Sequence, residues 1–134
     1  AGMKLQDHGT VLVSVCTEDL AEALPLIRRF YRMGFNIEAT TGTAEFLKAN
    51  GIRTRIKRDY TEDPSDITEA MRSGKVAYLI NTRDPSSTAH VSAGQEMRRL
   101  AIENNVTAFT SLDTVRALLD VLEAITSRIA TIDE

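Results

Sequence analysis

Hydroxyl-bearing residues surround a glycine in the segment Thr40-Thr41-Gly42-Thr43. The apolar run before it is typical of a buried strand, and the residues after it are typical of a helix. Backbone N–H groups and short hydroxyls would meet at the start of that helix, where the positive end of the helix dipole favours an anion. The segment predicts a phosphate-binding turn, although an ordinary strand-to-helix turn with a threonine N-cap has the same pattern.

A second polar group, Asn81-Thr82-Arg83, directly follows another apolar run. An amide, a hydroxyl and a guanidinium at one place suit a ribose, a base edge or a phosphate. The alternative is a polar loop that caps the next helix. Arg58 ends a basic strand and could reach a phosphate from there, but basic residues on an edge strand also serve to prevent aggregation.

Candidates for catalysis are few. Asp84 and His90 could supply a carboxylate and an imidazole for acid–base chemistry, or they could cap a turn and lie exposed on a helix. His8 is expected to face solvent. Cys16 lies within an apolar run, which would raise the thiol pKa, and no histidine neighbours it in the sequence. We therefore predict no catalytic residue, and no spacing indicates a metal site.

The elements that must position these residues follow a fivefold β-α order. Apolar runs predict strands at 10–16, 35–40, 52–58, 76–81 and 106–110, and each is followed by a segment with helical spacing. Right-handed crossovers then give a three-layer α/β fold, a five-stranded parallel sheet with helices on both faces. Ligands bind such sheets at the carboxyl ends of the strands. Ser14, Thr110 and Ser111 lie at further strand ends and join the candidate site.

Bulk properties narrow the classes of function. A chain of 134 residues suits one domain, which we place at 9–129, after a leader at 1–8 and before a tail at 130–134 that is expected to fray. A net charge of −3 gives no general argument for nucleic acid or membrane binding. The apolar runs are shorter than the ~20 residues of a membrane span. The single cysteine agrees with a reducing compartment, and we expect a cytoplasmic protein.

Several short motifs resemble one family. The chain is similar, from residue 9 to about residue 123, to the methylglyoxal-synthase-like domain that closes the large subunit of bacterial carbamoyl-phosphate synthetase, a Rossmann-type fold. The resemblance rests on Gly34-Phe35, Ala39-Thr40-Thr41-Gly42-Thr43-Ala44, Gly51-Ile52, Ser73-Gly74, Ile80-Asn81-Thr82 and Phe109-Thr110-Ser111-Leu112-Asp113-Thr114. Residues 1–8 resemble the linker before this domain, so we expect a fragment of a longer chain.

The resemblance implies a regulatory role. Domains of this family bind nucleotide effectors such as UMP, IMP or a phosphoribosyl compound, and hold no cofactor of their own. Catalysis takes place in the parent enzyme's other domains, which use ATP with Mg or Mn. The parent ligase makes carbamoyl phosphate from glutamine or ammonia, bicarbonate and ATP for pyrimidine and arginine synthesis. The implied partners are the rest of the large subunit and the small glutaminase subunit, with no nucleic acid or membrane.

The family's effector residues match this chain in part. Ser14, Thr40, Thr43 and Asn81 agree with the family pattern, whereas two family lysines fall on Leu20 and Asp59 and a family threonine falls on Arg83. We expect Arg58 and Arg83 to restore the positive charge. The predicted effector and phosphate site comprises Ser14, Thr40, Thr41, Gly42, Thr43, Arg58, Asn81, Thr82, Arg83, Thr110 and Ser111.

The alternative within the same resemblance is methylglyoxal synthase, a lyase that eliminates phosphate from dihydroxyacetone phosphate. Asp84-Pro85 and His90 resemble its second acidic loop. The Gly-Gly-Asp-Gln-Gln motif that carries its catalytic base is missing, and Glu62-Asp63-Pro64-Ser65-Asp66 occupies that region. A displaced base misses the substrate carbon, and small displacements are costly. The sequence therefore favours the regulatory domain over the lyase.

Overall fold

Strands and helices alternate along the part of the chain that the structure describes. The computed structural model describes residues 6–82 and 88–133. Its elements are β1 (Thr10–Ser14), a 3-10 turn (Thr17–Asp19), α1 (Leu20–Arg32), β2 (Asn36–Thr40), α2 (Thr41–Ala49), β3 (Thr54–Lys57), α3 (Pro64–Arg72), β4 (Val76–Asn81), α4 (Thr88–Glu103), β5 (Thr107–Phe109) and α5 (Leu112–Asp133). The predicted five β-α repeats are confirmed.

The strands form one parallel sheet in the order β3-β2-β1-β4-β5. The chain moves outward from β1 through β2 to β3 and then crosses back to place β4 on the other side of β1. The order therefore reverses between β1 and β4. In open α/β sheets this switch point opens a crevice beyond the carboxyl ends of the two strands, where ligands bind.

Two apolar clusters cover the two faces of the sheet. Val11 and Val13 pack on one face with Phe30 of α1 and Leu119 of α5. Leu12 points to the opposite face, because successive strand residues alternate, and its cluster takes in residues of α3 and α4, namely Ile67, Met71, Met97 and Leu100. Burial on both faces explains why the central strands are continuous apolar runs. It also confirms the three-layer fold.

Several element ends differ from the prediction. β1 ends at Ser14, so Val15 and Cys16 lie in the loop that follows. The last helix begins at Leu112 and runs through Asp133, into the segment expected to fray. Residues 112–133 contain neither glycine nor proline, so no residue of this segment stops the helix. None of the helices in the described ranges is long and apolar enough to cross a membrane.

Candidate functional site

A cavity of about 230 Å³ lies at the switch point, beyond the carboxyl ends of β1, β2 and β4. We call it the switch-point cavity. It is lined by residues from the strand ends, from the first turn of α2 and from α4: Ser14, Val15, Cys16, Thr17, Leu20, Thr40, Gly42, Thr43, Asp59, Asn81, Thr82, Ala93, Gly94 and Met97. The structure thus brings together Ser14, Thr40, Gly42, Thr43, Asn81 and Thr82 of the predicted site.

The β2–α2 turn, Thr40 to Thr43, leaves the N-terminus of α2 without a side-chain cap. Thr40 has the extended backbone of an N-cap residue (φ −65°, ψ 156°), yet its hydroxyl makes no capping hydrogen bond. That hydroxyl donates instead to Ser14 Oγ at 3.2 Å. The first turn also contains no acidic residue. Since the first N–H groups of a helix have no partner within the helix, this end of α2 is suited to an anion.

Thr43 fixes the β2–α2 turn against β1. Its Oγ1 accepts a hydrogen bond from Val15 N at 3.3 Å and lies 3.4 Å from Val15 O, to which it donates. The residue is 4 % exposed. The buried hydroxyl bonds to both backbone groups of Val15 and so fixes the loop after β1 against α2. This wall of the cavity is therefore preorganised.

Gly42 leaves open space in the lining. A Cβ built at this position would meet no atom of the described residues within 4 Å. Its φ is also outside the left-handed region, so the backbone does not require glycine. Glycine in a helix is less favourable than alanine by about 1 kcal/mol. The open space at Gly42 would allow a ligand to approach the backbone closely.

The end of β4 is fastened to the end of β1. Asn81 pairs with Ser14 in the sheet, and its Nδ2 donates to Ser14 O at 3.2 Å. Thr82 N donates to the same carbonyl at 3.2 Å, and Thr82 Oγ1 accepts from Cys16 N at 3.0 Å. Asn81 Oδ1 is buried and has no hydrogen-bond partner in the part of the chain that the structure describes. A buried acceptor of this kind is available to a ligand donor.

Asp59 brings a carboxylate into the lining. Its Oδ1 accepts from Thr61 N at 3.0 Å and from Thr61 Oγ1 at 2.9 Å. Across residues 6–82 and 88–133, Oδ2 has no hydrogen-bond partner, and none of the lining residues is lysine, arginine or histidine. The described lining therefore carries negative charge only.

Cys16 lies in the lining as a protonated thiol. Burial is the main cause that raises its pKa, and Asp19, whose Oδ2 accepts from Sγ at 3.1 Å, raises it further. A thiol held in this form is a poor nucleophile. The raised thiol pKa expected from the sequence is confirmed, although Cys16 lies in the loop after β1 and not in the strand.

Other predicted site residues lie elsewhere. Arg58 does not line the cavity, and its Nη1 is 3.1 Å from Asp63 Oδ2. Thr41 is half-buried in the first turn of α2 but outside the lining. Thr110 and Ser111 line a second, mainly apolar cavity of about 680 Å³ between β5 and α5, which we call the edge cavity. Arg83 and Asp84 lie outside the described residues, and the same holds for the side chain of His90.

The lining residues outside the predicted site come from the segment after β1 (Val15, Cys16, Thr17 and Leu20), from Asp59 and from α4. Ala93, Gly94 and Met97 close the cavity from the side opposite α2. Their spacing places them on one face of a helix, and the adjacent small residues Ala93 and Gly94 allow a close approach to that face. The Ala93-Gly94 pair could have drawn attention to this face of α4, but the sequence alone does not indicate which helix face covers the switch point.

Comparison with known proteins agrees with this architecture. A family model described as the MGS-like domain matches residues 22–110. Among solved structures, the chain is similar to methylglyoxal synthase from Elizabethkingia anophelis, with a TM-score of 0.70 and 14 % sequence identity over 86 % of this chain and 79 % of that chain. At this identity the structural similarity establishes a shared fold. The family match extends over most of the chain, which therefore belongs to the family of MGS-like domains.

Proposed function

We propose that this chain is a regulatory domain that binds a phosphate-bearing nucleotide effector in the switch-point cavity. One observation carries the proposal: the N-terminus of α2 opens on this cavity without a side-chain cap among the described residues and without an acid in its first turn. The backbone N–H groups of the β2–α2 turn would hold the phosphate. The Ser14, Thr40 and Thr43 hydroxyls fix the geometry of that turn.

The chemistry of the lining favours binding over catalysis. Elimination of phosphate needs a base at the substrate carbon and a group that assists the leaving oxygen. The described lining offers hydroxyls, one amide, one protonated thiol and one carboxylate, with no imidazole and no ammonium group. Hydroxyl and amide groups can form hydrogen bonds with a ligand, but they do not act as general acids or bases near neutral pH.

The resemblance of the sequence motifs supports a more specific assignment. We propose that the domain is the effector-binding part of a bacterial carbamoyl-phosphate synthetase large subunit, working in the cytoplasm, with UMP, IMP or a phosphoribosyl compound as effector. The domain itself holds no cofactor in this proposal, and ATP and its metal ions belong to the parent enzyme. Its partners are the rest of the large subunit and the small glutaminase subunit. The effector acts by its differential affinity for two states of that assembly.

Isothermal titration of the chain with UMP, IMP and phosphoribosyl diphosphate tests effector binding. We expect saturable heat with at least one of the three, and competition by inorganic phosphate, because the phosphate occupies the β2–α2 turn. Thr114→Val, in the first turn of α5 and away from the switch-point cavity, is a control that should bind as the wild type does. Absence of heat with all three ligands at millimolar concentration would overturn the proposal.

A lyase of the methylglyoxal synthase type is the second candidate. Asp59, a carboxylate in the cavity lining, is the observation that favours it, and the similar solved structure bears that name. An assay for methylglyoxal formation from dihydroxyacetone phosphate separates the two candidates. Turnover that is lost in Asp59→Asn would establish the lyase and displace the regulatory proposal, whereas no turnover alongside effector binding supports the regulatory domain.

A further inference from the structure

The switch-point cavity has hydrogen-bond donors at one wall and acceptors elsewhere in its lining. The donors are the backbone N–H groups at the start of α2, beside Gly42 and Thr43. Two lining residues have an acceptor without a partner among residues 6–82 and 88–133, Asn81 at its buried Oδ1 and Asp59 at Oδ2, and of the two only Asp59 is charged. A ligand that satisfies both walls needs an anionic end and an end that donates hydrogen bonds.

The position of the Asp59 carboxylate is fixed by its own turn. Thr61 holds Oδ1 through its N–H group and its hydroxyl, at 3.0 and 2.9 Å. The Asp59 carbonyl accepts from Glu62 N at 2.9 Å and from Asp63 N at 3.0 Å. In the sheet, Lys57 pairs with Thr40, so Asp59 lies two residues beyond the level at which α2 begins. The carboxylate is thus held in one orientation in the lining of the switch-point cavity.

Charge determines which part of a ligand can lie at Asp59. A phosphate there would meet a carboxylate with no basic side chain in the described lining to offset the repulsion. Hydroxyl or N–H donors on a neutral part of the ligand are favoured instead. A ribose carries two adjacent hydroxyls, and an acidic side chain that accepts from a ribose hydroxyl is a recurrent means of recognising nucleotides.

The size of the cavity agrees with a sugar phosphate. Its volume of about 230 Å³ is below the range of roughly 300–1,000 Å³ in which pockets enclose a drug-sized ligand. The cavity would enclose the phosphate and the pentose and leave the base at its mouth. Recognition would then depend on the sugar more than on the base.

We propose that Asp59 is a specificity-determining residue that accepts hydrogen bonds from the ribose diol, so that the cavity selects ribonucleotides over 2′-deoxyribonucleotides. This inference rests on the proposed function, because it assumes a nucleotide phosphate at the β2–α2 turn. It also gives a physical role to the position at which a lysine of the resembling family is replaced.

Calorimetric titrations with matched nucleotide pairs test the inference. The probes are UMP against 2′-deoxyuridine monophosphate and IMP against 2′-deoxyinosine monophosphate, with wild type and Asp59→Asn. We expect the ribonucleotide of each pair to bind the wild type about tenfold more tightly, since hydrogen bonds to charged groups are among the stronger ones. In Asp59→Asn we expect both members to bind more tightly, because the repelling charge is gone, and the ratio to fall to about twofold.

The ratio of ribonucleotide to 2′-deoxyribonucleotide affinity distinguishes recognition of the diol from the effect of removing a negative charge, because charge removal alone changes both affinities equally. Asp59→Asn keeps an acceptor for Thr61, and an unchanged thermal unfolding midpoint would show that the turn is intact. Equal binding of both members to the wild type would overturn the inference and leave the proposed function standing. A ratio that persists in Asp59→Asn would equally overturn the role of Asp59. Binding of neither member would overturn the proposed function and the inference together.

Discussion

Two neighbouring helices of this domain begin in opposite ways. At α3, Asp63 is the N-cap residue, and its Oδ1 accepts from Ser65 N at 3.0 Å, with Pro64 at the first position and Asp66 in the first turn. At α2, Thr40 directs its hydroxyl to Ser14, and the first turn has no acid. The chain pairs one N–H group in the first turn of α3, that of Ser65, with its own carboxylate, and it leaves the N–H groups at the start of α2 for another anion.

The charges around the two turns follow the same division. Hydrogen bonds from the Ser65 hydroxyl and backbone N–H are the main causes that lower the pKa of Asp63, and Arg58 lowers it further. The helix dipole of α3 is thus matched by an ionised side chain that carries its own counter-ion. At the switch-point cavity the corresponding anion would come from the ligand. A helix N-terminus that is capped by a side chain of the protein has a structural role, and one that lacks such a cap is a candidate for ligand binding.

The largest expected effect comes from Gly42→Ala. The added methyl group meets no described atom within 4 Å, so the fold accommodates it, and alanine in a helix gains up to about 1 kcal/mol over glycine. The same methyl would occupy the space where a phosphate approaches the N–H groups, and we expect UMP affinity to fall at least about tenfold, or about 1.4 kcal/mol. Calorimetry and urea unfolding measure the two effects. Unchanged affinity would show that no ligand approaches α2.

The next effect is that of Thr41→Asp, which places an acid in the first turn of α2 as Asp66 does in α3. A carboxylate there stabilises the helix dipole by about 0.3–1 kcal/mol and competes with the ligand phosphate. We expect higher stability towards urea together with a loss of UMP affinity of up to about fivefold. Thr114→Asp, in the first turn of α5, is the matched control and should leave affinity unchanged. Equal losses in both variants would contradict a local effect.

Removing the cap of α3 should affect stability without affecting binding. Because the folded-state pKa of Asp63 lies below its ordinary value of 3.8, its carboxylate stabilises the fold above that pH, and the contribution is lost as the pH falls through the lowered pKa. We expect Asp63→Ala to be less stable than the wild type at pH 7, with the difference shrinking as the pH falls below 3.8. Urea unfolding at pH 7 and at a series of pH values below 3.8 measures this. A constant difference would assign the effect to packing instead of charge.

How much of the site can be predicted from the sequence depends on whether its residues lie close together in the chain. Thr40, Gly42 and Thr43 were predicted to lie together because they share one turn. Thr110 and Ser111 were predicted because they follow a strand, but that strand, β5, lies at the sheet edge with β4 between it and β1.

Strand order is a long-range property, so the sequence indicates that these residues follow a strand without indicating which strands flank the switch point. The α4 face that carries Ala93, Gly94 and Met97 was missed for the same reason. By contrast, β4 was predicted with its observed bounds, Val76–Asn81. A strand that is buried on both faces has a continuous apolar sequence, which can be recognised without knowledge of the strand order.

The smallest expected effect is that of Arg58→Gln, and it tests whether the two turns are independent. The sequence predicts that Arg58 replaces a missing lysine at the phosphate, but its side chain is 67 % exposed and pairs with Asp63 of the β3–α3 turn. Exposed charges are screened over about 8 Å at physiological ionic strength, so we expect UMP affinity to change by less than about twofold. Arg116→Gln, which removes another exposed arginine paired with an aspartate, is the control. A fall specific to Arg58→Gln would mean that the guanidinium leaves Asp63 to reach the ligand. The cap of α3 and the proposed phosphate site at α2 would then share one cation, and effector binding would be coupled to the stability of α3.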